Sequence, residues 1–168
     1  MADESLEFVA TRAGRRCEYC QMHQSLQGAT FDLEHIIPRA LGGSSDSSNL
    51  ALACPSCNLH KADRTSTSIS SNGDSIPFFN PRLDEWGNHF EWDDYTPIAK
   101  SEIGRVTIQS LDLNHERRIR IRRAEQLFGL FPPDRNSEKA AAAQSRPKSP
   151  LIADRLVLQR CRSTVPRH

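Results

Sequence analysis

Two stretches decide the fold: Phe31-Asp32-Leu33-Glu34-His35-Ile36-Ile37-Pro38, and Asn49-Leu50-Ala51-Leu52-Ala53-Cys54-Pro55-Ser56-Cys57-Asn58. Residues 29–36 alternate apolar and polar side chains, the period-two signature of a half-buried strand, and Pro38 ends it. Leu41 to Ser48 has the Gly, Ser and Asp content of a loop. Residues 49–53 are short and apolar, which suits a second strand. Cys54-Pro55-Ser56-Cys57 then turns the chain, and residues 58–64 open a helix. Strand, loop, strand and helix in so short a span make a small α+β unit.

That unit lies between two C-x-x-C pairs, Cys17/Cys20 and Cys54/Cys57. Two residues between sulfurs let one turn present both to one ion. Two such turns complete a tetrahedron, which suits Zn²⁺ with thiolate ligands. A redox pair or plain buried thiols would each leave one pair unexplained. A closed four-sulfur site has no open coordination position, so it is expected to clamp rather than react. Cys161 stands alone and has no assigned role.

Between and beside the pairs stand Glu34-His35, Asn49 and Asn58. Singly each has an ordinary reading: a surface histidine, a turn asparagine, a helix cap. Together they meet the needs of phosphodiester hydrolysis. A neutral imidazole, His35, can take a proton from water near pH 7. Glu34 and Asn58 can offer a hard cation such as Mg²⁺ one carboxylate and one amide oxygen, water completing its shell. Asn49 can bond backbone across the loop and hold His35 in aim. Lys61, Arg64 and Arg16 are candidate phosphate contacts, with Arg12 and Arg15 nearby. One difficulty is geometric: neighbours in a regular strand face opposite ways, so Glu34 and His35 share a site only if the strand end bends.

The order of these elements is specific. C-x-x-C, Glu34-His35-Ile36-Ile37-Pro38, Gly42-Gly43, Asn49-Leu50, Cys54-Pro55-Ser56-Cys57-Asn58 and Lys61 together resemble the HNH endonucleases of the four-cysteine type. The resemblance covers residues 17–64. It implies a ββα-metal core stapled by a Cys₄ zinc site, with His35 as general base and Asn49 in support. Glu34 and Asn58 would hold a catalytic Mg²⁺ or Mn²⁺. Two departures bear on metal geometry: the acidic position, often Asp, is Glu34, and the last position, often His, is Asn58. Phe79-Asn80-Pro81-Arg82, Trp86, His89-Phe90, Trp92, Ile103-Gly104-Arg105, Leu113-Asn114 and Pro132-Pro133 look like the C-terminal extension of a group of bacterial HNH proteins. Its expected role is a packing layer.

Working outward, residues 1–16 are expected to carry a helix over 4–16, and 65–76 a Ser/Thr/Asn/Gly-rich linker. Residues 77–133 form an extension, with a strand at Phe90-Glu91-Trp92 and helices over 101–111 and 115–128. Asn114 is placed to cap the second helix and Gly129 to stop it. Residues 134–168 are expected to be a disordered tail, with Ala140 to Ala143 as a short repeat and a transient helix at Leu151 to Leu158. Arg117, Arg118, Arg120, Arg122 and Arg123 have two readings. One is a salt-bridged face meeting the acidic Asp84, Glu85, Glu91, Asp93 and Asp94; the other is a phosphate-contacting surface.

Among 168 residues, 37% are hydrophobic and 26% charged, so the core is modest and a metal staple is in order. With 22 Lys+Arg against 21 Asp+Glu, bulk charge does not announce a nucleic-acid partner. No apolar run is long enough to span a membrane, and no apolar signal core follows Met1, so a cytoplasmic protein with reduced thiols is expected. DNA is the expected partner, with no membrane and no obligate protein partner. A zinc-ribbon module that binds nucleic acid without cutting it, and a metal-stapled scaffold, are the alternatives.

Overall fold

The computed structural model describes residues 2–68 and 74–133. The expected tail over 134–168, with its Ala140–Ala143 repeat, the Leu151–Leu158 helix and Cys161, lies outside the described residues, as do residues 69–73 of the expected linker.

Helix α1 spans Ala2–Arg12. It stops short of the expected Arg16 because Gly14 and Arg15 both take left-handed backbone (φ 57° and 55°). Strand β1 (Asp32–His35) pairs antiparallel with β2 (Leu50–Ala53), His35 opposite Leu50 and Asp32 opposite Ala53. Ile36 extends the ladder by donating its N–H to the Asn49 carbonyl. β1 is shorter than the expected residues 29–36, since Gly28 (φ 63°) still belongs to the preceding turn. Helix α2 (Pro55–Lys61) follows β2 directly and packs against both strands, completing a ββα unit. Pro55 occupies the first turn, where its missing N–H leaves no helix bond unmade.

The segment read as a linker contains paired backbone: β3 (Ser66–Thr67) bonds antiparallel to β4 (Ile76–Pro77). A short helix α3 (Trp86–His89) leads into β5 (Phe90–Asp93), which pairs with β6 (Thr96–Ala99). α4 (Glu102–Ser110) is capped by the Ser101 hydroxyl, which accepts from the Gly104 N–H. α5 (Glu116–Leu127) is capped by His115, whose Nδ1 accepts from the Arg117 N–H. The expected cap, Asn114, lies one residue too early and instead donates its amide to the Pro97 carbonyl. Gly129 turns left-handed (φ 68°) just past the helix.

One apolar cluster runs through the whole described chain, from Val9 through Tyr19, Phe31 and Leu52 to Phe78, Phe90, Val106 and Leu113. An aromatic ladder extends it: Trp86 stacks on Trp92 at 4.9 Å, and Trp92 meets Phe131 edge-on at 5.0 Å. Among the described residues no helix is long and apolar enough to cross a membrane.

The core also buries charge. Glu125 has no exposed surface, and one of its oxygens accepts from the His23 N–H at 2.7 Å. Burial pushes its carboxyl up to about 7, against the opposing pull of that bond and of Arg16. The folded pKa lies above an unfolded value of about 4.3. The native state therefore holds this proton more tightly. Its stabilising contribution is complete below about pH 4.3 and is lost as pH rises through about 7. Urea unfolding at pH 5 and pH 8 should show the parent losing stability across that window more steeply than Glu125→Gln; identical pH dependence would contradict the assignment.

Candidate functional site

Two clusters sit on the ββα unit. In the first, the sulfurs of Cys17, Cys20, Cys54 and Cys57 lie within 4.8 Å of one another, and all four residues are buried. Local backbone sets this up. The Cys17 N–H donates to the Met22 carbonyl and Gln21 donates back to Cys17, folding a knuckle around Cys20, with Gln21 held at φ 61°. In the second knuckle, Cys54 Sγ accepts from the Cys57 N–H at 3.4 Å, and Asn58 donates to the Cys54 carbonyl. Burial and mutual hydrogen bonding push the Cys17 thiol well up. Four buried sulfurs in this arrangement can hold one metal ion, and the donor set is compatible with zinc.

Glu18, inside the first knuckle, ties it to the sheet. Its N–H donates to the Leu52 carbonyl at 2.9 Å, and its carboxylate accepts from the Leu52 N–H at 2.8 Å. One residue thus occupies the outer edge of β2, as a neighbouring strand would. Arg12 and Arg82 pair with the same carboxylate.

The second cluster surrounds the end of β1. His35 is half-buried, and its Nε2 lies 3.1 Å from Ser45 Oγ on the following loop. Asn49 closes that loop. Its Oδ1 accepts from the Ile37 N–H at 2.9 Å, and its Nδ2 donates to the carbonyls of Ile37 (2.9 Å) and Ser44 (2.8 Å). Gly43 passes so close that a Cβ there would sit 1.7 Å from the Ile37 oxygen and 2.8 Å from Asn49 Nδ2. Asn58, at the middle of α2, is half-buried.

Glu34 does not join this cluster. β1 is regular, so Glu34 and His35 point to opposite faces. Glu34 is 4% exposed; its Oε1 accepts from Lys61 Nζ at 2.5 Å and its Oε2 from the Tyr19 hydroxyl at 2.7 Å. Burial raises its carboxyl, while Lys61 and Tyr19 pull it back. Burial also pushes the Tyr19 phenol well up, and the neighbouring Glu34 charge adds to this, so the phenol remains a donor. Glu34, expected to ligate a catalytic ion beside His35, faces inward here with both oxygens held, and the structure does not bring it together with the imidazole.

Lys61, expected as a phosphate contact, also faces inward. It is 1% exposed, and its ammonium bonds Glu34 and the His35 carbonyl (3.2 Å). Removing it would strand a buried carboxylate, typically a loss of about 3–5 kcal/mol. Arg16 is tied to the carbonyls of Gln21 and Leu130. Arg12 is buried, donating to the Ser47 and Leu50 carbonyls. Arg15 pairs with Glu7 at the surface. Arg64 is exposed, over the Phe78 ring.

The arginine helix fits neither of its two readings whole. Arg117, Arg120 and Arg123 are exposed, but Arg118 and Arg122 are 3% and 1% exposed. Arg122 meets the 84–95 region through the Trp92 ring (5.1 Å) and the Tyr95 carbonyl, rather than through the acids. Arg118 reaches Cys57 Sγ at 3.0 Å. Sequence reasoning missed Ser45, Tyr19, Glu18 and Arg118 as participants. Only Glu18 and Tyr19 carried a signal, by their position inside a C-x-x-C pair.

Residues 17–64 match the family model for the HNH endonuclease and carry an HNH domain. No curated protein and no solved structure matches the chain.

Gly43→Ala should lower stability by at least about 2 kcal/mol in urea titration, since the Ile37 carbonyl cannot yield without breaking the Asn49 clasp; an unchanged midpoint would contradict that packing. Cys54→Ser should lose the bound ion and the core's circular dichroism signal together, whereas a folded, metal-loaded variant would show that four sulfurs are not required.

Proposed function

We propose, from the HNH domain that residues 17–64 carry, that this chain is an endonuclease hydrolysing phosphodiester bonds of nucleic acid, with DNA as the substrate. The observation that best supports the reading is His35: a half-buried imidazole at the end of β1, beside a loop that Asn49 clasps by three hydrogen bonds. Zn²⁺ is the ion assigned to Cys17, Cys20, Cys54 and Cys57, in a structural role.

In this reading His35, neutral, takes a proton from the water that attacks phosphorus. Ser45, 3.1 Å from Nε2, orients the ring. Asn49 acts as a positioning residue, because its bonds fix the backbone immediately after His35. Hydrolysis of this kind commonly uses a hard divalent ion, Mg²⁺ or Mn²⁺, which supplies charge neutralisation at the phosphate. Asn58 fits as an oxygen ligand for such an ion. Glu34 is held inward by Tyr19 and Lys61, so in this arrangement Asn58 stands without its expected partner ligand. Exposed Arg39, soon after His35 in the chain, and exposed Arg64, soon after Asn58, are the candidate phosphate contacts.

A second reading, a zinc-stapled module that binds nucleic acid without cutting it, has one observation in its favour. Glu34, the acidic half of the Glu34-His35 pair, is buried in a bridge to Lys61, which favours a structural part for it.

Supercoiled plasmid incubated with purified protein separates the two. With Mg²⁺ or Mn²⁺ the parent should nick or cut it, and His35→Ala should lose at least about a hundredfold in rate. Equal cleavage by both would remove His35 from the mechanism; binding without cleavage by the parent would favour the second reading.

A further inference from the structure

The metal-thiolate centre has a charge problem that the HNH domain does not solve by itself. Four thiolates around one divalent ion carry a net charge of about −2. The four cysteines are 0–1% exposed, so water does little to offset it. Two guanidiniums stand against this centre, and both come from α5, outside residues 17–64. Arg118 and Arg122 are one helical turn apart and so share a face.

Arg118 is aimed. Its Nη1 donates to Cys57 Sγ at 3.0 Å, while its Nη2 is anchored by Ser56 Oγ and the Leu111 carbonyl, each at 2.8 Å. The fork therefore has one prong fixed by neutral acceptors and the other directed at a ligand sulfur. Arg122 sits deeper, donating to the Cys20 carbonyl at 3.4 Å and the Leu113 carbonyl at 3.1 Å, with its face on Trp92.

We infer that Arg118, supported by Arg122, is an outer ligand of the zinc centre: it stabilises the Cys57 thiolate by a charge-assisted hydrogen bond and slows release of the ion. The inference rests on the zinc assignment above. It makes the extension part of the metal site rather than only a layer over it. Partners that hold ligand atoms in place commonly alter metal retention by about 10–100-fold.

The test uses the full chain loaded with zinc, the rate of zinc transfer to an excess of a coloured chelator, and the thiolate-to-metal charge-transfer band of the cobalt-substituted protein. Arg118→Gln should release zinc at least about tenfold faster than the parent. Its cobalt band should move to longer wavelength, because removing a cation raises the energy of the sulfur electrons. Arg120→Gln, an exposed change on the same helix, should alter neither. A folded Arg118→Gln protein with the parent's release rate and band would overturn the inference.

Should that variant fail to fold, Arg118→Lys decides, since it keeps the charge without the fork. A folded Arg118→Lys protein that releases zinc faster than the parent supports the role, and one that keeps the parent's release rate and cobalt band overturns it. A parent that binds no zinc would sink the zinc assignment itself, and this inference with it.

Discussion

Four sulfurs held within 4.8 Å of one another in a dry interior are a constraint that the rest of this chain is arranged around. As thiolates they repel, and burial penalises each charge; a bound cation turns the same geometry into a strong clamp. The two knuckles are far apart in sequence, so the clamp fixes the β1–β2 hairpin and the start of α2 between them. Glu18 carries the constraint sideways by bonding both backbone groups of Leu52. Arg118 carries it to α5. The one continuous apolar cluster then welds the hairpin, α1 and the C-terminal elements into one core.

The alternation of β1 has a chemical consequence. Because successive strand residues face opposite ways, the Glu34-His35 pair splits into an inner and an outer member. The inner one enters a buried triad with Tyr19 and Lys61; Lys61 also bonds the His35 carbonyl, so the interior pair steadies the backbone that presents the outer imidazole. Asn49 does the same from the loop side. The imidazole is thus held through its backbone from two directions while its ring stays half-exposed beside Ser45.

Much of this was legible in the sequence, for identifiable reasons. The cysteine spacing, the alternation before Pro38, the apolar run after Asn49 and the turn chemistry of Gly42-Gly43 are local signals, and β1 and β2 stand where they pointed, whereas α2 starts at Pro55 rather than Asn58 and takes Cys57 into its first turn. What was not legible depends on distant partners. Nothing local distinguishes Lys61 from a surface lysine until Glu34 stands 2.5 Å away. Nothing distinguishes Arg118 from Arg117 or Arg120 until α5 docks, since the arginines cluster without a clean stripe. Helix ends slipped by a few residues where a neighbour competed: Gly14 ended α1 early, and His115 took the cap from Asn114.

The metal clamp is the claim on which the others stand, and its direct test is X-ray absorption at the zinc edge of the purified, zinc-loaded chain. Four sulfur scatterers at about 2.3 Å and no nitrogen or oxygen neighbour are expected. A first shell containing imidazole or carboxylate, or fewer than four sulfurs, would mean that the ion lies elsewhere and that the two knuckles are not joined as described.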